Sequence, residues 1–340
     1  MNDVQPSGPH EDPSDQRSQQ LEVLAPNQRT EQELLIRHPL FSSPSIATEP
    51  TIQAYLEFKE QFLGGASGFT LLGERGSGRK TALLVMRDLL RLEFPELTTV
   101  TCVLSEDEPK TPYDRWASLL FAAGHRFRGG NQVDAKRRLL NLIDERTAIA
   151  GVYRFVLFVQ RVERLDRAMM LTLLDLKENL QIKGIQFVVV GSAEINAFKA
   201  MIDNNHSPEQ LYIIRSLLGS GHVLRPLTSV LDLRSILSAI DNMPYLEAGS
   251  VTWGQYFLPK AYQAGFRLSA HADSLKLAID EYAANGRVTS TFIFRTIQHL
   301  LTQAAKVDQP GLTIGAEEWK RAMGYIADAG ITYLPAPKEG

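Results

Sequence analysis

The chain has 340 residues, 44% of them hydrophobic, with 36 Lys and Arg against 39 Asp and Glu, seven His and one Cys. This length accommodates two domains with a core each, the lone cysteine excludes an intramolecular disulfide, and no apolar run approaches the roughly 18–20 residues that span a bilayer. The opening MNDVQPSGPHEDPSDQRSQQ lacks the basic start and apolar stretch of a secretory signal, so a cytoplasmic protein without a membrane partner is expected.

Residues 1–33 carry seven acids against Arg17 and Arg29, a balance of −5, which leaves the remaining chain near +2. Few of these residues are hydrophobic, and Pro6, Pro9, Pro13 and Pro26 break any helix. Such a segment cannot offset its ordering entropy by burial, which predicts a disordered acidic tail. From residue 34 the pattern is globular. TIQAYLEFKEQFL predicts a helix ended by Gly64, Gly65 and Gly68, and Phe69 to Leu72 a short buried strand that runs into a Gly-rich loop and a helix. Further strands are expected in TTVTCVL, FVLFV and IQFVVVGS, with helices between them in WASLLFAAGH, VDAKRRLLNLIDERTA and LDRAMMLTLLDLKENL. Short apolar strands alternating with helices predict an α/β fold, a parallel sheet covered on both faces. After Pro226 only helical patterns remain, in LRSILSAI, ADSLKLAIDEYAA and STFIFRTIQHLLTQAA. The expected organisation is a tail over 1–33, an α/β domain over 34–227, a small all-helical domain over 228–330 and a tail over 331–340.

A phosphate-binding loop needs a strand, glycines whose backbone N–H groups wrap the phosphates, a Lys on the outer phosphates and a Ser or Thr hydroxyl on magnesium. Gly73-Glu74-Arg75-Gly76-Ser77-Gly78 lies between a predicted strand and a predicted helix, which is the required context. The pattern GxxxxGK[ST] then calls for Lys at 79 and Ser or Thr at 80. The sequence has Arg79 and Lys80 instead, with Thr81 displaced by one. A guanidinium can pair with phosphate, but its planar fork differs from a compact ammonium, and Lys80 cannot coordinate magnesium. Three readings stay open: a degenerate loop that binds ATP or ADP weakly or not at all, a loop longer by one residue that uses Lys80 and Thr81, and a Gly-rich turn without a ligand. The strand VLFVQRVERLD departs in the same way, placing Gln160 and Arg161 where an Asp for magnesium and a Glu for the attacking water are needed. Glu163 and Asp166 read as solvated charges beyond it.

With the loop at 73–81, RHP near the start, the strand ending FVQRVERL and the strand VVVGSAEI in place, residues 35–310 resemble the TnsC/TniB family of AAA+ transposition regulators. The resemblance is more distant to origin-recognition ATPases of the same superfamily. It implies an AAA+ domain followed by a helical lid, whose Gly286-Arg287-Val288 precedes a long apolar helix. It makes Ser192 a sensor of the nucleotide and Arg215 an arginine facing a neighbouring subunit. The lid's sensor arginine meets Thr289, Ser290 and Thr291 here, which leaves Arg287 as the residue to fill that role. It further implies rings or filaments on duplex DNA, as a homo- or hetero-oligomer that bridges a target-selecting protein to the transposase. Because the departures at Arg79, Lys80, Gln160 and Arg161 all fall on the ATP site, the expectation is a relative with weak or no hydrolysis and doubtful use of magnesium. The alternatives are an active DNA-stimulated ATPase using Lys80 and Thr81, and a scaffold of the same fold in replication or phage biology.

DNA binding requires Lys and Arg that displace counterions from phosphates. The candidates are Lys110 and Thr111 after the second strand, the basic run Lys136, Arg137 and Arg138, and the arginines at 161, 164 and 167, of which Arg164 is the foremost. The seven histidines are scattered, with no HExxH and no partner for Cys102 of the zinc-site kind, so no metal site is expected. Trp116 and Trp253 are read as core anchors.

Overall fold

The computed structural model describes residues 38–42, 45–104, 111–126, 129–204, 207–245, 251–283, 286–330 and the pair 334–335. The acidic segment 1–33 and Lys110 lie outside the described residues. Chain order begins with a one-turn helix α1 (Pro39–Ser42) and α2 (Glu49–Leu63), then β1 (Gly68–Gly73), α3 (Arg79–Glu93) and β2 (Thr98–Val103). There follow α4 (Pro112–Ala122), α5 (Gln132–Ala150), β3 (Arg154–Gln160), α6 (Arg167–Ile182), β4 (Gln186–Glu194), α7 (Ile195–Asp203), α8 (Pro208–Leu218) and β5 (Ser220–Val223). The last part holds α9 (Val230–Asn242), α10 (Trp253–Phe257), α11 (Pro259–Gln263), α12 (Ala272–Ala283), β6 (Gly286–Arg287), α13 (Ser290–Ala305), α14 (Ala316–Asp328) and β7 (Leu334–Pro335).

The first five strands form one parallel sheet in the order β2-β3-β4-β1-β5, as the alternation of apolar strands and helices predicts. Its inner strands β1, β3 and β4 read as largely apolar runs because both faces are covered. Phe155, Leu157 and Val159 of β3 pack with Trp116, Leu139, Leu176 and Leu217 of α4, α5, α6 and α8. The intervening Val156 and Phe158 pack with Phe58 of α2 and Leu83 and Met86 of α3. The period of two carries this second series on to Gln160 in β3, and from Val188 and Val190 to Ser192 in β4, so both polar residues lie on the face that α3 covers. Register pairs Ser192 with Leu71 on one side and Gln160 on the other. The strand order reverses at β1, and the carboxyl end of a strand at such a point is where open α/β sheets bind ligands.

Two elements depart from the sequence reading. β5 pairs only with β1 at the sheet edge, and its Ser-Gly-His-Val is largely exposed, so no apolar run announces it. In the helical part, Gly286–Arg287 pairs antiparallel with Leu334–Pro335, a two-residue ladder where only helix and tail are expected.

The helical part has its own core, built around Leu237, Phe257, Leu275, Phe292, Leu301 and Trp319. Leu40 and Ile46, from the segment ahead of α2, pack into this same core. The buried amide of Gln298 in α13 donates to the Leu40 carbonyl at 2.5 Å, which fixes the strap there. Asp241 of α9 organises the turn before α12. Its buried carboxylate accepts from the Leu268 and Ser269 N–H groups at 2.9 and 3.0 Å and from the Tyr262 hydroxyl. Truncation leaves all three donors unsatisfied, so Asp241→Ala should lower stability by about 2–4 kcal/mol. A urea midpoint unchanged from wild type would contradict this, and Asp241→Asn should fall between the two.

Candidate nucleotide-binding site

The loop from Gly73 to Gly78 joins β1 to α3 at the switch point of the sheet. Gly76 and Gly78 hold φ of 80° and 83°, the left-handed region where a Cβ is disfavoured, and these turns bend the backbone around the start of α3. Gly78 caps that helix without a side-chain acceptor, which leaves the first-turn N–H groups open to an anion.

Arg79 does not extend from the loop as the lysine of the sequence pattern would. Its guanidinium folds back and donates from Nη1 to the Glu74 carbonyl at 2.8 Å and the Gly73 carbonyl at 3.3 Å, stapling the loop that it follows. Burial pulls its pKa below the ordinary value, against the opposing charges of Glu163 and Glu194. Lys80 is exposed at the next position of α3. Partial desolvation, followed by the positive charges of Arg161 and Arg79, holds its ammonium below its ordinary value. Thr81 lines the adjoining cavity.

Gln160 is buried at the end of β3, and Arg161 follows it with φ 64°. Among the described residues it is the one non-glycine with positive φ, a conformation that costs of order 1 kcal/mol and is held where the surroundings fix it. Glu163 and Asp166 separate. Asp166 caps α6 by accepting from the Met169 N–H at 2.5 Å, as a helix-start residue should. Glu163 is not a solvated charge: its Oε2 is buried without a hydrogen-bond partner among the described residues, and its charge acts on both Arg79 and Lys80. Ser77 Oγ and Ser192 Oγ are likewise buried and unpartnered among the described residues.

The helical part closes over this loop. The Thr291 N–H and hydroxyl donate to the Gly76 carbonyl at 3.0 and 3.1 Å, so the first turn of α13 sits on the crest of the loop. A cavity of about 200 Å³ lies between the strap, the loop and α13, with Phe41, Ile46, Leu227 and Phe294 on its apolar side and Ser77, Thr81 and Arg295 on its polar side. A second, of about 550 Å³, lies beyond Ser77 toward Arg75, Ile195 and α12. Ser77 and Ser290 border both.

Two arginines at this cavity escape the sequence reading. Arg225 forks onto buried Asp232 at 2.7 and 2.9 Å and reaches Gln53 with Nε at 3.1 Å, tying α2 to α9. Arg295 bonds the neutral amide of Gln298 at 3.1 Å and supplies a guanidinium from α13. It lies beyond Thr289, Ser290 and Thr291, which explains why a short motif at the glycine does not reveal it.

The remaining candidates lie elsewhere. Arg215 is exposed on α8, and the Leu217 carbonyl two residues later lies against Gly68, at the beginning of β1 and so at the end of the sheet opposite the loop. It lines neither of the two cavities beside the loop. Thr111 uses its hydroxyl and N–H in a reciprocal cap with Asp114 at the start of α4. The basic run on α5 splits three ways, since consecutive helix residues do not share a face. Lys136 reaches across to both Asp175 oxygens at 2.8 Å and lies 5.6 Å from the Trp116 ring, Arg138 donates to the Gly129 carbonyl at 2.8 Å, and Arg137 stays exposed beside Asp134. Trp116 and Trp253 are core residues, as expected. No described helix is long and apolar enough to cross a membrane.

No protein-family model and no curated protein matches the chain. Solved structures do. The ORC2 protein of Aeropyrum pernix, determined in ADPNP–ADP complexes, aligns over 86% of this chain and 72% of its own with a TM-score of 0.57 at 12% identity. The ORC1 protein of the same organism, determined in complex with DNA, aligns over 84% and 68% with a TM-score of 0.50 at 15% identity. At such identities the likeness concerns the fold. The chain shares with both structures the fold of a parallel sheet followed by a helical part.

Proposed function

We propose that this chain is an AAA+-fold adaptor of DNA transposition: it binds nucleotide and duplex DNA, assembles side by side, and bridges a target-selecting protein to the transposase with weak or no hydrolysis. The observation that carries the reading is the contrast within one site. The loop, the lid contact and the cavity of a nucleotide site are intact, while the positions that would hold magnesium and orient water are Lys80, Gln160 and Arg161. The resemblance in layout to TnsC/TniB proteins supplies transposition as the setting, and the likeness to a protein solved with DNA supports the polyanion partner. Arg215, exposed and outside the two cavities beside the loop, is the residue assigned to a neighbouring subunit. Lys110, Arg137 and Arg164 are the cations assigned to DNA phosphates, with Thr111, Lys136 and Arg138 shaping the surface around them. Thr81, which lines the cavity, favours one second reading, an active ATPase that uses Lys80 and Thr81.

Phosphate release from ATP, measured with and without duplex DNA, separates the two. The adaptor should release phosphate no faster than buffer, because stabilisation of the transferring phosphoryl group rests on the metal and on the positioned water. DNA-stimulated turnover that Lys80→Ala abolishes would establish the second reading instead. DNA binding itself should be insensitive to sequence and fall steeply with salt, and Arg137→Glu should weaken it uniformly and flatten the slope by roughly one counterion. With a body charge near +2, appreciable affinity needs several subunits on one duplex.

A further inference from the structure

In this fold the loop is expected to work with magnesium, and the residues present do not fit that ion. Lys80 offers donors and no lone pair at the position of the coordinating hydroxyl, and Gln160 and Arg161 replace the carboxylates at the strand end. Glu194, the nearest acid on β4, already caps α7 by accepting from the Asn196 and Ala197 N–H groups at 3.2 and 2.7 Å. Among the described residues no three His, Cys, Asp or Glu side chains are gathered as a metal site.

What stands there instead is fixed positive charge. Lys80 is repelled by Arg161, Arg79 and Arg164 and attracted by Glu163, and Arg79 is repelled by Arg161 and Arg75 and attracted by Glu163 and Glu194. The left-handed backbone at Arg161 holds this residue at the strand end at a conformational cost. Ser192, 1% exposed and on the face covered by α3, has a hydroxyl without a protein partner among the described residues. The open N–H groups of the first turn of α3 point to the same kind of ligand. An anion is drawn to neighbouring cations, and an orphaned buried hydroxyl is satisfied by an acceptor.

We propose that the loop takes a nucleoside di- or triphosphate without a divalent cation, Lys80 and Arg161 supplying from the protein the charge that magnesium would bring. The inference rests on the nucleotide reading above and adds the ionic form of the ligand: the free polyanion, not its magnesium complex. Magnesium in solution then competes with the protein for the phosphates and weakens binding.

The test is a titration of the full-length protein with a fluorescent ADP analogue, in EDTA and in excess magnesium chloride. Binding in EDTA should exceed that in magnesium, by about tenfold where the complexed nucleotide dominates, and equal binding in the two buffers would overturn the inference. Lys80→Ala should lose at least about tenfold in EDTA without rescue by magnesium, whereas Lys80→Arg should retain binding. Lys80 is exposed on the first turn of α3, so neither change opens a core cavity, and an unchanged thermal midpoint checks this. Binding present only with magnesium would overturn this inference and leave the nucleotide reading standing. Binding absent in both buffers would overturn both. Inorganic pyrophosphate should displace the analogue in EDTA, and failure to do so would show that the phosphates are not what the cations hold.

Discussion

Replacing Arg79 by Lys and Lys80 by Thr together should give the protein magnesium-dependent nucleotide binding and still no hydrolysis. The pair restores an ammonium for the outer phosphates and a hydroxyl for the ion, which are the binding elements of the loop. It leaves Gln160 and Arg161 at the strand end, where neither can hold a second side of the metal shell or orient water. Phosphate release should therefore stay at the blank rate. Adding Gln160→Asp and Arg161→Glu should raise it by about 10²-fold or more over the double variant. Hydrolysis by the double variant alone would mean that the strand end is dispensable and that the loop accounts for the silence. The cost of the double change is local: Arg79 gives up its bonds to the Gly73 and Glu74 carbonyls, so the loop should become more mobile to hydrogen exchange while the sheet does not.

The second large effect concerns acid. His38 is fully buried on the strap, stacked on Tyr245 and enclosed by Trp253, Tyr256 and Phe257. Its Nδ1 accepts from the Leu40 N–H at 3.1 Å, which places the ring proton on Nε2 and keeps the imidazole neutral. Burial pushes its pKa down to about 3 from 6.5. The folded state thus binds fewer protons than the unfolded one between these values. The stability that neutral His38 contributes is fully present above about pH 6.5 and drains as pH falls toward 3, at up to about 1.4 kcal/mol per unit. His38→Phe, which keeps the aromatic enclosure and cannot charge, should flatten that part of the stability profile relative to wild type. Parallel profiles in urea melts at pH 7, 6, 5 and 4 would show that the histidine is protonated without penalty.

The parts of the fold that were legible are those whose burial is written locally. β1, β3 and β4 announce themselves because both faces are covered, so every residue of a run such as FVLFV must be apolar, while β2 shows only an alternation of Thr with Val and Cys. The long helix α13 appears in the sequence with its observed limits because Thr289 caps it and its apolar stripe is unbroken. β5 is hidden because an exposed edge strand of four residues needs no apolar pattern. The loop was legible from its glycines, and so was the oddity of Arg79 and Lys80. What Arg79 does with its guanidinium was not, because folding back onto two carbonyls depends on the loop's shape. The basic run at 136–138 reads as a face only while Asp175 is far away in the chain, and the fold brings it to Lys136. Glu163 and Arg295 gain their meaning in the same way, from cations and a cavity that other elements deliver.

Helix α13 joins the loop, the cavity and the strap. α13 sits on Gly76 through Thr291, borders the cavity through Arg295 and grips Leu40 through Gln298, in three successive stretches of its length. The strap that opens at His38 is thus clasped by the same rod that rests on the loop. Whatever draws on the chain ahead of residue 38 draws on the wall of the cavity, and whatever fills the cavity pushes back along the rod.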